Sequence, residues 1–307
     1  MKKQTIVRSL ALAGMLSGGV VCGGLAWGQQ GALPLAPHKD AGDSVIGVFE
    51  GWFKNDKGTF IEIGYYNRNL KEALDIPVGP NNRIEPGGPD YGQPTHFEPK
   101  KAWGIQVIKV PNDFGDKQLQ WTITANGKTT VIPLNLKADW ELAPFVDAEG
   151  DLPPYLSFSP LAKKAETVIG PIPVTMEAKV KVGEQLPLTV YVADDAKVQP
   201  GQRTPKVPVN IMWNVFREPG SGSNQSLVKF AQTRPVVEKT DDPLPPSAVF
   251  AGKATTTATF SEPGDYILEV TALDATGEGG GGFMCCWTNG LVKVKVEPSA
   301  QHTSGGF

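Results

Sequence analysis

From Val45 onward, apolar and polar residues alternate with a period of two, as strands with one buried face require. In the first half the alternation marks strands over Val45 to Phe53, Thr59 to Asn67, Ala73 to Val78, Ala102 to Val110, Lys117 to Ala125 and Lys128 to Leu134. Asn126-Gly127 separates the last two, with Leu119, Trp121 and Ile123 alternating before it. That dipeptide tolerates positive φ at both central positions and so predicts a tight hairpin. The pattern restarts over Val174 to Val182, Leu186 to Ala193, Val207 to Phe216, Leu227 to Gln232, Lys253 to Phe260, Asp265 to Leu273 and Leu291 to Glu297. The best helical windows, Asn69 to Leu74 and Pro160 to Glu166, reach one or two turns. The expected fold is therefore all-β, with two tandem sandwiches.

The segment before the strands has a different pattern. Lys2, Lys3 and Arg8 precede or interrupt an apolar, Gly-rich run from Ile6 to Leu25, and Ala26-Trp27-Gly28 offers small residues for cleavage. This reads as a cleaved signal peptide over 1–28, implying a periplasmic or extracellular chain without a transmembrane segment once mature. A retained membrane anchor is the alternative, but Arg8, Ser9, Ser17 and five glycines break the run. The organisation expected is a polar lead at 29–43, a sandwich at 44–136, a Pro/Gly-rich acidic connection at 137–173, a second sandwich at 174–298 and a tail at 299–307.

In the second half, Val207, Val209, Ile211, Trp213 and Val215 share a face, placing a Trp where immunoglobulin-like domains bury one against the opposite sheet. Pro263-Gly264-Asp265-Tyr266-Ile267-Leu268 looks like the tyrosine corner of that fold, with Leu268 where antibody domains carry a cysteine. The run Phe260 to Gly277 is similar to the penultimate strand of PKD and related bacterial immunoglobulin-like modules. This resemblance spans roughly the last 125 residues and implies an immunoglobulin-like sandwich lacking the antibody disulfide. The first half resembles segments of exported bacterial proteins of unknown function through Phe49-Glu50-Gly51-Trp52-Phe53 and Asn67-Arg68-Asn69, which implies no activity.

Composition narrows the chemistry. Loss of 1–28 leaves 26 basic and 32 acidic residues, a net charge of -6 that argues against nucleic acid or an anionic membrane as an electrostatic partner. The mature chain keeps only Cys285 and Cys286, which are adjacent and cannot staple distant strands. Its histidines are His38, His96 and His302, and no Gly-x-Ser-x-Gly elbow occurs. A hydrolytic triad, a zinc site and a phosphate-cradling loop all lack their residues, so no metal, cofactor or catalytic residue is expected. Carboxylates are numerous enough that a glycosidase-like pair stays open.

Three segments are candidates for function. The long loop from Gly79 to Pro99 offers Asn82, Arg83, Tyr91 and His96 for binding. The connection from Asp274 to Asn289 carries Phe283, Met284 and Trp287 around Cys285-Cys286, which in an oxidising compartment would close as a vicinal disulfide. Either this is an exposed apolar tip, or Phe283 and Trp287 fold back over the sandwich. Asp147-x-Glu149-x-Asp151 has alternating carboxylates, but Leu152 and Phe158 occupy the positions where a helix-loop-helix calcium loop needs Gly and Glu. An acidic linker is the expected reading there. The functional expectation is a noncatalytic binding or structural module of the envelope or extracellular space, engaging a protein or glycan. The alternative is an accessory carbohydrate-binding pair of a polysaccharide-active enzyme, or a weak hydrolase using paired carboxylates.

Overall fold

Strands carry the whole architecture of the computed structural model, which describes residues 38–161, 167–198, 201–220, 226–276 and 285–299; from His38 onward they pack as one unit. The signal-peptide reading of 1–28 and the expected tail lie outside the described residues, except for Ser299. The one helical turn among the described residues is a 3-10 turn at Ala138–Trp140, and no helix there is long and apolar enough to cross a membrane.

The first half contains β1 (Val45–Asn55), β2 (Gly58–Asn67), β3 (Leu74–Asp75), β4 (Asn82–Glu85), β5 (His96–Phe97), β6 (Lys100–Val110), β7 (Leu119–Ala125) and β8 (Lys128–Leu134). One sheet runs β1-β2-β6 and the other β4-β7-β8, with β3 and β5 pairing separately. These orders are those of strands A-B-E and C-F-G in an immunoglobulin sandwich. Alternation sends Ile61, Ile63 and Ile108 from one sheet and Ile84, Trp121, Ile123 and Leu134 from the other into a common core. Gly47 makes room in β1 for the Trp121 ring, which a Cβ there would strike. The β7–β8 hairpin turns on Asn126 and Gly127, with φ of 49° and 74°, as its dipeptide predicted.

The second half contains β9 (Tyr155–Ser157), β10 (Val174–Lys181), β11 (Gln185–Asp194), β12 (Asn210–Arg217), β13 (Val228–Phe230), β14 (Glu238–Lys239), β15 (Phe250–Phe260), β16 (Gly264–Leu273) and β17 (Trp287–Glu297). Its sheets run β10-β17-β16-β12 and β13-β15-β11-β9, and β10 is parallel to β17. Matched to A′-G-F-C and D-E-B-A, this is immunoglobulin topology, with the first strand divided between the sheets. Trp213 is buried on the C strand, and Tyr266 donates its hydroxyl to the Glu262 carbonyl at 2.8 Å, closing the tyrosine corner.

Two expectations change. The stretch 137–173 is more than a connection, because Tyr155–Ser157 pairs with Tyr191 to Ala193 of β11 as the A strand. Three residues are too few to display a period. The expected strand from Ala73 to Val78 shrinks to Leu74–Asp75, because Pro77 has no N–H to offer a ladder.

Tyr266→Phe removes one hydroxyl and leaves a carbonyl short of a donor. Urea unfolding should show a loss of about 1–2 kcal/mol with an unchanged denaturant slope.

Candidate functional site

In β12 the residues Ile211, Trp213 and Val215 face the sandwich interior, and in β16 Tyr266, Leu268, Val270 and Ala272 do the same. The period of two therefore puts Met212, Asn214, Ile267, Glu269, Thr271 and Trp287 on the outer face. That face meets the first half. Phe216 joins the first half's core, and Ile267 and Leu291 pack against it. Trp287 packs with Leu273 among Trp103, Leu142 and Met212, and Asn289 donates Nδ2 to the Gly104 carbonyl at 2.6 Å. Gly104 has φ +49°, and a Cβ on it would collide with both the Trp287 indole and the Glu62 carboxylate, so only glycine permits this approach.

The long loop from Gly79 to Pro99 is held from inside and from the second half. Asn82 is fully buried; Nδ2 donates to the Ile76 and Pro94 carbonyls and Oδ1 accepts Trp121 Nε1. Arg83 donates to Glu85 and to the Pro80 carbonyl, and Tyr91 donates its hydroxyl to the Pro86 carbonyl at 2.6 Å. Arg217 reaches across with two bonds to the Asp90 carboxylate, at 2.7 and 3.1 Å, and Nε donates to the Gln93 carbonyl. His96 completes the tie. Its Nδ1 lies 2.7 Å from Asp75 and 3.5 Å from Glu218 of the second half, and its Nε2 lies 3.4 Å from Glu98. Desolvation works against charge on this imidazole, but hydrogen bonds to Asp75 and Glu98 and the charges of both prevail, raising its pKa to about 9. Burial moves the Glu218 carboxyl upward against the pull of His96.

Of the two readings of the last long loop, burial of Trp287 matches the one in which it folds back, and the first loop holds its residues rather than displaying them. Asn82 and His96 are buried structural groups, Arg83 and Tyr91 are bonded within their loop, and Trp287 is only 2% exposed. Phe283 and Met284 lie outside the described residues. Cys285 and Cys286 are joined by a disulfide and buried.

Even so, His96 and Trp287 come to one place. Where the halves do not fully meet, a cavity of about 220 Å³ opens between them, lined on one side by Tyr65, His96, Lys101 and Trp103 and on the other by Asn214, Arg234, Glu269 and Trp287. Lys101 Nζ stands 2.9 Å from the centroid of the Trp103 ring and 3.5 Å from Glu50. Two lining groups are buried without a hydrogen-bond partner: the Trp287 Nε1 donor and the Glu269 Oε1 acceptor. Desolvation pushes the Glu269 carboxyl up to about 8. Glu269 and Trp103 escaped the sequence reading because a charged or amphipathic residue on the outer face of a strand ordinarily meets water. The apolar neighbours Ile267, Leu273 and Leu291 were the signal that this face is covered.

No family model matches the chain, and no curated protein matches it either. Solved structures to which it is similar include the ASH/PapD-like domain of human CEP192, at 8% identity over 41% of this chain and 82% of that one, with a TM-score of 0.25. Domains 4 and 5 of the S-layer protein SbsC show 10% identity over 83% and 98%, with a TM-score of 0.22. The Yersinia pseudotuberculosis adhesin InvE shows 9% over 82% and 58%, with a TM-score of 0.23. At such scores the fold assignment rests on strand order and register alone.

The His96 tie fixes a pH response. Its folded pKa lies above the ordinary 6.5, so its stabilisation is complete below about 6.5 and is lost as pH rises through about 9. The unfolding free energy from urea titrations should fall across that window, and His96→Gln should lessen the fall by an amount on the order of 3 kcal/mol.

Proposed function

We propose that the chain is an exported, noncatalytic binding module, directed outward by residues 1–28 and PKD-like in its second half, whose ligand enters the cavity between the halves. The observation that carries this reading is the pairing of an unbonded buried donor, Trp287 Nε1, with an unbonded buried acceptor, Glu269 Oε1, in one cavity. Buried polar groups are nearly always satisfied, and such exceptions mark places where something else supplies the partner. A hydroxyl both donates and accepts, so a ligand with several hydroxyls satisfies both groups.

The aromatic surfaces of Trp103 and Trp287 beside polar groups suit one sugar ring of a glycan. The volume is below the roughly 300–1,000 Å³ of drug-sized sites, so a single terminal ring fits better than an extended chain. A noncatalytic role is supported by His96, whose two ring nitrogens are both committed to carboxylates, Asp75 and Glu98 of its own half, with Glu218 of the second half 3.5 Å from Nδ1.

A glycan-array screen of residues 29–307 tests the proposal, run beside Trp287→Phe, which removes the donor while keeping an aromatic ring, and Glu269→Met, which removes the acceptor at similar size. Each should weaken binding about tenfold. Glu269→Met should also fold at least as stably as the parent, since a buried carboxyl without a partner opposes folding. Equal binding by all three proteins would refute the cavity as the site, and failure to bind any glycan would refute the ligand class.

A further inference from the structure

A second group of buried polar side chains lies away from the cavity, at one end of the second sandwich. Three strand ends meet there. β11 finishes at Asp194, with Asp195 next; Asp274 follows directly on β16; and Asp151 precedes β9, on the chain arriving from the first half. In immunoglobulin order these are the B–C connection, the F–G connection and the entry to strand A. A carboxylate oxygen of Asp151, one of Asp274 and Cys286 Sγ all lie within 4.8 Å of one another.

Asp151 is 1% exposed, and neither of its carboxylate oxygens has a hydrogen-bond partner. Asp194 is 2% exposed; Oδ1 accepts the Ala196 N–H at 2.8 Å, while Oδ2 has no partner. Lys197 Nζ, 3.4 Å from Asp195 Oδ2, is divided between that carboxylate and the Gly150 carbonyl. Asp274 Oδ1 accepts the Thr276 N–H and hydroxyl at 2.7 and 2.6 Å. Burying carboxylates against one another costs several kcal/mol unless a cation or protons intervene.

We propose that Asp151 and Asp274 bind one calcium ion at this end of the sandwich, with Asp194 and Asp195 beside them. The donors are oxygens from separate connections, which suits calcium's large and irregular coordination shell better than the strict octahedron of magnesium. Zinc does not fit, because Cys286 is held in the disulfide with Cys285 and offers no thiolate. Of the acidic run in the connection, only Asp151 takes part. Asp147 uses Oδ1 to accept the Glu149 and Asp151 N–H groups, and Glu149 is exposed. The ion would fasten the chain entering the second half to the ends of its B and F strands.

The test is calorimetric titration of the chelator-stripped full chain with calcium chloride, together with its melting midpoint in calcium and in chelator. The expected result is one ion per chain and a midpoint raised by about 5 °C or more at a hundredfold excess over Kd. The double variant Asp151→Asn, Asp194→Asn should melt higher than the parent in chelator, because buried charge is relieved, and should show no calcium shift. Asp147→Asn with Glu149→Gln should keep the shift. The proposal is overturned by absence of binding heat with identical midpoints, by a calcium shift that survives in the first variant, or by loss of the shift only in the second.

Discussion

A sheet in a two-layer sandwich normally gives one face to the core and one to water; here the strands β12, β16 and β17 have both faces covered. Their inner face holds Trp213, Leu268 and Val292, and their outer face takes the first half through Phe216, Ile267, Leu291 and Trp287. Burial of those side chains at about 25 cal/mol per Å² makes the two sandwiches one body rather than beads on a linker. The rest follows from that contact. The long loop before β6 is held because Arg217 and Glu218 grip it, Gly104 is fixed as glycine because Trp287 passes over it, and the cavity lies where the two halves meet imperfectly.

The regular strands were legible because each is long enough to show its period. Lys128–Leu134 falls where its alternation placed it, and Val45–Asn55, Gln185–Asp194 and Gly264–Leu273 extend their predicted spans by a residue or two. The elements missed have two to four residues: β4, β5, β9 and β14 are specified by partners across the sheet rather than by local pattern. The site was less legible still. Glu269 and Thr271 alternate with apolar residues as a solvent face would, Asn289 falls at the end of an expected connection, and nothing in their spacing says that another domain lies on them. Asp151, Asp274 and Cys286 come from three stretches of the chain, and only the topology brings Asp151 to the other two.

The buried ionisable groups fall into two kinds, distinguished by their neighbours. His96 has carboxylates at both ring nitrogens and Asn82 has partners for both its oxygen and its nitrogen, so each is a fastening of the first half, and His96 also reaches Glu218 of the second. Glu269, Asp151 and Asp194 oppose folding as they stand, because each has at least one buried oxygen with no donor. A fold that keeps such groups is less stable than one with apolar residues of the same size in their places, and natural chains tend to accept that loss where a function depends on it.

The parallel pairing of β10 with β17 governs how this body answers a pull on its ends. β10 lies near the start of the second sandwich and β17 closes it, and they run side by side in unbroken register from Val174–Gly290 to Lys181–Glu297. Tension drawing the start of β10 away from the end of β17 slides one strand along the other, loading the whole ladder at once instead of peeling it bond by bond. Rupture under load is set by the unfolding barrier and not by equilibrium stability, so this sandwich is built to hold under tension longer than its overall stability would indicate.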